Sequence, residues 1–208
     1  MLTLKVESHI PFMLSDAKDL SLAHERSEFE YEGTHFSLPH PGAFSVMNAL
    51  AAIKTAAFFR VSLATTTVAL AGLTRIPGRA EHIDEGQKFL AVVDYAHTPD
   101  SLRALYGAYS TRRKICVLGN TGGGRDTWKR PEMGCIAEEF CSEVVLTNED
   151  PYDEDPTAIL EAMAKNMKKA PRIILDRTEA IRTALSLSLI HISEPTRLRR
   201  ISYAVFCL

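Results

Sequence analysis

A carboxylate and an imidazole lie close together in the segment Asp-Tyr-Ala-His-Thr-Pro-Asp, residues 94–100. Asp94 follows a short apolar run, and its carboxylate is suited to accept hydrogen bonds from the vicinal hydroxyls of a ribose. His97 is suited to donate to a phosphate or acyl oxygen. Asp94 and Thr98 are equally suited to cap a helix. The spacing alone leaves both interpretations open.

A second segment, Gly119 to Pro131, combines three consecutive glycines with Arg125. Glycine lets backbone N–H groups approach an anion closely, and a guanidinium group matches the geometry of a carboxylate. The sequence contains no Gly-Lys pair, and Gly122-x-Gly124 lacks the third glycine of a dinucleotide-binding loop. The segment therefore predicts anion binding, but not a triphosphate site by itself.

The third segment, Asn148 to Pro156, carries five acidic side chains within eight residues. Such a run is commonly a solvated stretch that caps a helix. It is also suited to attract the ammonium group of a ligand, and Glu149 and Asp150 come first in it. The sequence of this segment is compatible with both interpretations.

Short apolar runs precede all three segments and alternate with helix candidates. The runs are 89–94, 114–119, 143–148 and 172–175, and prolines 99, 131 and 156 each suit the first turn of a helix. This order predicts an α/β fold, a Rossmann-like doubly wound parallel sheet covered on both faces. Ligands of such sheets bind beyond the carboxyl ends of the strands, which is where the three segments fall.

The first 80 residues have a different pattern. Residues 28–39 alternate around Glu32-Gly33 and predict an antiparallel hairpin. Apolar residues from Val46 to Ala57 have the spacing of a helix, and Ser62 is placed to cap a second one. Pro77-Gly78 then ends the pattern, so we expect a second α/β part before about residue 80.

The composition excludes several classes of protein. The 208 residues carry 24 basic and 26 acidic side chains, a net charge of −2, which predicts no affinity for nucleic acid or for a membrane surface. No apolar run reaches the ~20 residues that a membrane span requires. Four cysteines without a Cys-x-x-Cys pair predict buried thiols in a reducing cytosol.

The last 22 residues, 187–208, resemble a translated sequencing adapter and are excluded from the fold prediction. The alternative is a closing strand, for which the letters ISYAVF are acceptable. The abrupt start and this tail together predict a piece of a longer protein.

Three motifs carry a resemblance to a known family. VVDYAHTPDSL, GGGRDxxKRPEMG and TNEDPYDEDP, in this order, resemble the C-terminal domain of the Mur ligases. Upstream, PGAFSVMNALAA and IPGRAE resemble the end of that family's central ATPase domain. The resemblance implies the end of an ATPase domain in residues 1–80, an incomplete C-terminal domain in 81–186 and a non-native tail in 187–208.

The resemblance also implies an activity. Such a protein adds an amino acid to UDP-N-acetylmuramoyl-dipeptide in peptidoglycan precursor synthesis, in the cytoplasm. ATP, with Mg²⁺, converts the terminal carboxylate of the substrate to an acyl phosphate, which the incoming amine attacks. Positioning and charge neutralisation carry this chemistry, so no catalytic nucleophile and no protein metal ligand is assigned here. The phosphate-binding loop and the metal ligands belong upstream of Met1 in this family, so the chain is expected to be inactive alone.

Site residues follow from the matched motifs. On the nucleotide side, the resemblance implies that Asn48 contacts adenine and that Arg79 faces the ATP phosphates. It also implies that Asp94 holds the ribose and that His97 lies near the reacting phosphate. On the amino-acid side, Thr98 and Arg125 face the incoming amino acid, with Arg125 binding its carboxylate. Glu149 and Asp150 select its side chain.

Two positions depart from the family pattern. Ser45 replaces the first Asn of the helix motif in the adenine site. Tyr152 stands where diaminopimelate-adding members have an arginine in Asp-Asn-Pro-Arg, so a second substrate carboxylate would have no partner beside Asp150 and Asp153. This favours lysine or another cationic amino acid over diaminopimelate.

Two other functions stay open on the sequence. One is another Mur-type ligase, similar to folylpolyglutamate or cyanophycin synthetases. The other is a non-catalytic module that binds an amino acid or a nucleotide. A Gly-Lys-Ser/Thr loop in upstream sequence would favour an enzyme over the module.

Overall fold

The computed structural model describes residues 9–110, 113–124, 126–188 and the backbone of 204–207. The chain divides into two compact units, Met1–Arg75 and Ile76–Leu208.

From residue 9 onwards, the first unit contains one antiparallel sheet, a short 3-10 helix (Leu14–Asp16) and two α-helices. Its strands β1 (Lys18–Leu22), β2 (Ser27–Tyr31) and β3 (Thr34–Leu38) pair in that order. The predicted hairpin is confirmed as β2–β3, which turns at Glu32 and Gly33 with φ of 49° and 72°. The third strand, β1, was not predicted.

Helices α1 (Gly42–Phe58) and α2 (Leu63–Gly72) complete this unit. The buried side chains of Val46, Leu50 and Ile53 place one face of α1 in the same core as Phe29 and Phe36, whose rings stack at 5.2 Å. Ser62 caps α2 by accepting the N–H of Thr65 at 3.1 Å. Both helix predictions are therefore confirmed.

The second unit is a six-stranded sheet in the order β4-β5-β9-β6-β7-β8. Its strands are β4 (Glu81–Ile83), β5 (Ala91–Asp94), β6 (Ile115–Leu118), β7 (Glu143–Leu146), β8 (Arg172–Ile173) and β9 (Ala204–Cys207). Strands β5 to β8 run in one direction, as the sequence predicts, whereas β4 and β9 run opposite to their neighbours. The sheet is therefore mixed at the positions of β4 and β9.

Among the described residues, four helices cover this sheet: α3 (Pro99–Ala108), α4 (Lys129–Phe140), α5 (Pro156–Ala164) and α6 (Arg177–Ser188). All four residues of β5 and of β6 are buried, so both faces of these strands are covered. Helix α6 packs on one face, where Ala184 and Leu185 share a core with Val117 and Val145. Helices α3 and α5 begin at the predicted prolines, while α4 begins two residues before Pro131.

Strand β9 lies in the segment excluded from the fold prediction. The backbone of residues 204–207 follows the alternative, a strand, and pairs antiparallel with both β5 and β6. The resemblance of 187–208 to an adapter stays a prediction.

Two of the four cysteines predicted to be buried thiols are buried as expected, but they are paired with each other. Cys116 of β6 and Cys141, the residue after α4, form a disulfide, with their Cα atoms 6.1 Å apart. The turn from α4 into β7 brings Cys141 beside β6, a proximity that the sequence spacing does not reveal. Cys135 is a free, half-buried thiol. None of the helices in the described parts of the chain has the length and apolar character needed to cross a membrane.

Candidate functional site

The carboxyl ends of three parallel strands and the start of α6 line one narrow cleft. The lining residues are Asp94, Tyr95, Ala96 and His97 after β5, Leu118 and Gly119 at the end of β6, Glu149 after β7, and Arg177. The structure therefore brings together the three segments that the sequence singles out. The cleft holds about 20 Å³, about the space of one oxygen-sized group.

Asp94 is buried at the end of β5, with 8% of its surface exposed. Its Oδ2 accepts the backbone N–H of Ala80 at 2.6 Å. Burial raises the pKa of Asp94, while hydrogen bonds from the N–H groups of Ala80 and Ala96 and the charge of Arg79 oppose that rise. Asp94 does not cap α3, so the capping interpretation is wrong for this residue.

The capping interpretation is confirmed for Thr98. Its hydroxyl oxygen accepts the N–H of Ser101 at 3.2 Å, and the Ser101 hydroxyl oxygen accepts the N–H of Thr98 at 3.0 Å. This reciprocal pair fixes the first turn of α3 at the rim of the cleft.

Tyr95, which was not predicted as a site residue, contacts two residues that were, Arg79 and His97, and the side chains of all three are exposed. The guanidinium carbon of Arg79 lies 5.0 Å from the centre of the Tyr95 ring, which is cation–π distance. The His97 ring lies 5.0 Å from the same ring, and His97 Nδ1 lies 3.0 Å from the Tyr95 carbonyl oxygen. A carbonyl only accepts, so Nδ1 donates to it, and Nε2 is the ring nitrogen that is left to face a ligand.

Asn48 lies on α1 in the unit Met1–Arg75, where its side chain is exposed. Ser45, one turn earlier, donates its hydroxyl to the Pro41 carbonyl at 2.7 Å. The proposed contact of Asn48 with adenine stays a prediction.

The glycine segment is bound to the acidic segment through its backbone. Gly122 N–H donates to the Asp150 carbonyl at 2.8 Å, and Gly124 N–H donates to Glu154 Oε1 at 2.7 Å. A Cβ on Gly122 would overlap the backbone of Pro151. Two of the N–H groups expected to approach an anion therefore contact the neighbouring segment instead. Arg125, the next residue, lies outside the described residues, so its predicted contact is not placed here.

Arg130, which the sequence analysis did not single out, holds these two segments together. It is 5% exposed, and its guanidinium group donates to both carboxylate oxygens of Glu154, at 2.8 and 2.9 Å. Its Nε donates to the side-chain oxygen of Asn120 at 3.1 Å. The hydrogen bonds from Arg130 and from the N–H of Gly124 lower the pKa of Glu154 to about 2.

The five acidic side chains therefore have different roles. Glu154 is neutralised by Arg130, and Asp155 caps α5 by accepting the N–H of Thr157 at 2.9 Å. Glu149 is half-buried in the cleft, and Asp150 is exposed. Capping is thus confirmed for Asp155 only, and Glu149 is left as the acidic side chain that faces the cleft.

Arg177 is the second residue that the sequence analysis missed. It opens α6, and one terminal nitrogen donates to the Asn148 carbonyl at 2.9 Å. Burial lowers the pKa of Arg177, and the charge of Glu149 opposes that change. Its sequence signal is a basic residue two positions after the fourth predicted strand, where the other segments also follow a strand.

The described residues contain no group of three or more His, Cys, Asp or Glu side chains placed to hold a metal ion. No Mg²⁺ ligand is therefore assigned to this part of the chain.

Residues 78–190 match the family model described as Mur ligase, glutamate ligase domain. The UDP-N-acetylmuramoyl-L-alanyl-D-glutamate--2,6-diaminopimelate ligase of Caldanaerobacter subterraneus is 43% identical over 156 residues, which cover 72% of this chain and 32% of the relative. The ligase of the same name from Chlorobaculum tepidum is 40% identical over 163 residues, 76% of this chain and 32% of the relative. This chain spans about a third of the length of these curated relatives.

Solved structures share the fold. MurF from Acinetobacter baumannii is 20% identical, with a TM-score of 0.62 over 84% of this chain and 38% of its own. The folylpolyglutamate synthase of Mycobacterium tuberculosis, complexed with ADP and AMPPCP, is 23% identical, with a TM-score of 0.64 over 82% of this chain and 40% of its own. At these identities the likeness establishes the architecture alone.

Proposed function

Since this chain belongs to the Mur ligase family, we propose that it is part of an ATP-dependent ligase of peptidoglycan precursor synthesis. The enzyme adds an amino acid to UDP-N-acetylmuramoyl-dipeptide, the reaction type of the MurE ligases whose names its relatives carry. The proposal assigns residues 1–80 to the end of the ATPase domain, 81–186 to the C-terminal domain and 187–208 to a non-native tail. The use of ATP and of a UDP-linked substrate supports a cytoplasmic location.

One observation carries the proposal: Asp94, His97 and Glu149, from the ends of different strands, line a single cleft. A nucleotide and an amine must be held side by side for an acyl phosphate to react with the amine, and neighbouring strand ends offer that arrangement. ATP supplies the phosphoryl group that activates the substrate carboxylate, and phosphate leaves when the amine attacks the acyl carbon.

On the nucleotide side, Asp94 fits the ribose. The carboxylate is buried and fixed by the Ala80 N–H, so it is already oriented to accept further hydrogen bonds from hydroxyls. Arg79 and His97 flank the Tyr95 ring and are proposed to face the phosphates. Asn48 is proposed to contact adenine. Mg²⁺ accompanies ATP in this proposal, with no ligand among the described residues.

On the amino-acid side, Arg125 is proposed to bind the carboxylate and Thr98, which caps α3, to face the same molecule. Glu149 and Asp150 are proposed to bind a distal ammonium group, which lysine and diaminopimelate share. Tyr152, which packs beside Gly123, replaces the arginine that would bind the second carboxylate of diaminopimelate. The absence of that arginine at position 152 supports lysine as the substrate. The names of the relatives support diaminopimelate.

A hybrid enzyme tests the proposal. The region of the Caldanaerobacter relative that this chain matches is replaced by the corresponding part of this chain, and ADP release is measured with UDP-N-acetylmuramoyl-dipeptide, ATP and Mg²⁺. We expect ADP release that depends on lysine or diaminopimelate. Failure of every amino acid in a folded hybrid, under conditions where the unaltered relative is active, would contradict it. Release with glutamate and a folate substrate would favour the folylpolyglutamate alternative.

A further inference from the structure

Arg177 has one hydrogen-bonding group that its surroundings do not satisfy. Its Nε is buried and has no hydrogen-bond partner among the described residues, although one terminal nitrogen of the same guanidinium group donates to the Asn148 carbonyl at 2.9 Å. An unpaired, buried N–H on a charged group is costly unless a ligand or water completes it. The contact with Asn148 holds the side chain in place without using its Nε–H.

The surroundings of Arg177 indicate what would complete it. The side chain lines the same cleft as Asp94, His97 and Glu149, and the cleft holds about one oxygen-sized group. A guanidinium N–H only donates, so its partner must be an acceptor, and a cationic donor favours an anionic oxygen. Two carboxylates in the same cleft would repel such an oxygen, so a fixed cation beside it is needed to offset them.

We propose that Arg177 is a further ligand-binding residue of this site, whose Nε–H donates to a phosphoryl oxygen. The choice of a phosphoryl group over a carboxylate rests on the proposed function, in which Asp94 and His97 of this cleft face the ribose and the reacting phosphate. Arg177 then neutralises charge on the transferred phosphoryl group between the nucleotide and the amino acid.

The Nε–H resonance of Arg177 reports on this contact directly. In the full 208-residue chain labelled with ¹⁵N-arginine, this resonance is identified by its loss in Arg177→Lys or by its proximity to Asn148 signals. Inorganic phosphate, sodium acetate and sodium chloride are titrated at matched ionic strength. We expect a saturable shift with phosphate, at least about tenfold tighter than with acetate, and only a baseline drift with chloride. No shift beyond the chloride baseline, or an equal response to acetate, would overturn the proposal.

A matched pair of variants separates binding from packing. Phosphate is expected to raise the melting temperature of the wild-type chain and of Arg182→Lys, an exposed position on the same helix, but not of Arg177→Lys. An equal rise in all three proteins would contradict the assignment.

A third titration, with ADP, distinguishes this inference from the proposed function. If Asp94→Asn weakens ADP binding while phosphate does not shift the Nε–H resonance of Arg177, the nucleotide site is supported and this inference is contradicted. If phosphate shifts the Nε–H resonance of Arg177 while Asp94→Asn leaves ADP binding unchanged, the anion site is supported and the nucleotide assignment is contradicted.

Discussion

Arg130 and Glu154 form a bidentate ion pair, with N–O distances of 2.8 and 2.9 Å, between the start of α4 and the acidic segment. Glu154 also accepts the N–H of Gly124, and Arg130 also binds the side chain of Asn120. The pair therefore joins the glycine segment to the acidic segment. Both segments are proposed to contact the incoming amino acid, so this ion pair sets the shape of that side of the site.

The first prediction concerns acid stability. The pKa of Glu154 is held at about 2, below its ordinary value of 4.5. A lowered carboxyl pKa contributes stability that is present above the unfolded-state value and is lost as the pH falls through the folded-state value. The difference in melting temperature between wild type and Glu154→Gln is therefore expected to shrink from pH 4.5 to about pH 2. Asp153→Asn, on the same exposed segment, is the control, and a Glu154→Gln difference that stays constant over this range would refute the role of the pair.

The second prediction concerns the contact between the two segments at Gly122. Gly122→Ala would push its Cβ into the backbone of Pro151, so we expect a loss of about 1–3 kcal/mol in the free energy of unfolding. Gly107→Ala on α3 is the control, because a Cβ there meets nothing within 4 Å and is expected to add about 0.5–1 kcal/mol of stability. Urea titration measures both, and equal effects of the two substitutions would count against a close contact at Gly122.

The sequence predicted this site in part. The alternation of apolar runs with helices predicted that β5 to β8 run in one direction, and the rule for parallel sheets placed Asp94, His97 and Glu149 at one edge. The sequence did not predict the Arg130–Glu154 pair, because long side chains 24 residues apart meet only after two segments pack. Arg177 was missed for the same reason, since its contact with Asn148 joins positions 29 residues apart. The roles of Thr98 and Asp155 as caps required the actual helix starts.

The third prediction concerns Asp94. Asp94→Asn keeps an oxygen for the Ala80 N–H but loses the charge proposed to hold the ribose, so the dissociation constant for ADP is expected to rise about 10- to 100-fold. Burial raises the pKa of Asp94, so this carboxylate is protonated earlier than an exposed aspartate when the pH is lowered. The loss of ADP affinity on acidification is therefore also expected to begin at a higher pH than it would for an exposed aspartate. Calorimetry with the hybrid enzyme measures both effects. Asp100→Asn, exposed on α3, should change little, and an Asp94→Asn affinity equal to wild type would remove Asp94 from the site.

The fourth prediction concerns amino-acid choice. Tyr152→Arg in the hybrid enzyme places a guanidinium group beside Gly123, where a second substrate carboxylate would need a partner. The ratio of kcat/KM for diaminopimelate to that for lysine is expected to rise about tenfold or more. Tyr152→Phe should leave the ratio unchanged. A ratio that does not move in Tyr152→Arg would show that this position does not select the amino acid.

The central claim is that one rim of the sheet binds a nucleotide at Asp94 and an amino acid at the glycine and acidic segments. It is tested most directly by steady-state kinetics of Arg125→Ala in the hybrid enzyme, with both substrates varied. We expect the KM for the amino acid to rise about tenfold or more while the KM for ATP stays within about twofold. An equal rise in both KM values, or a rise in the KM for ATP alone, would contradict the claim.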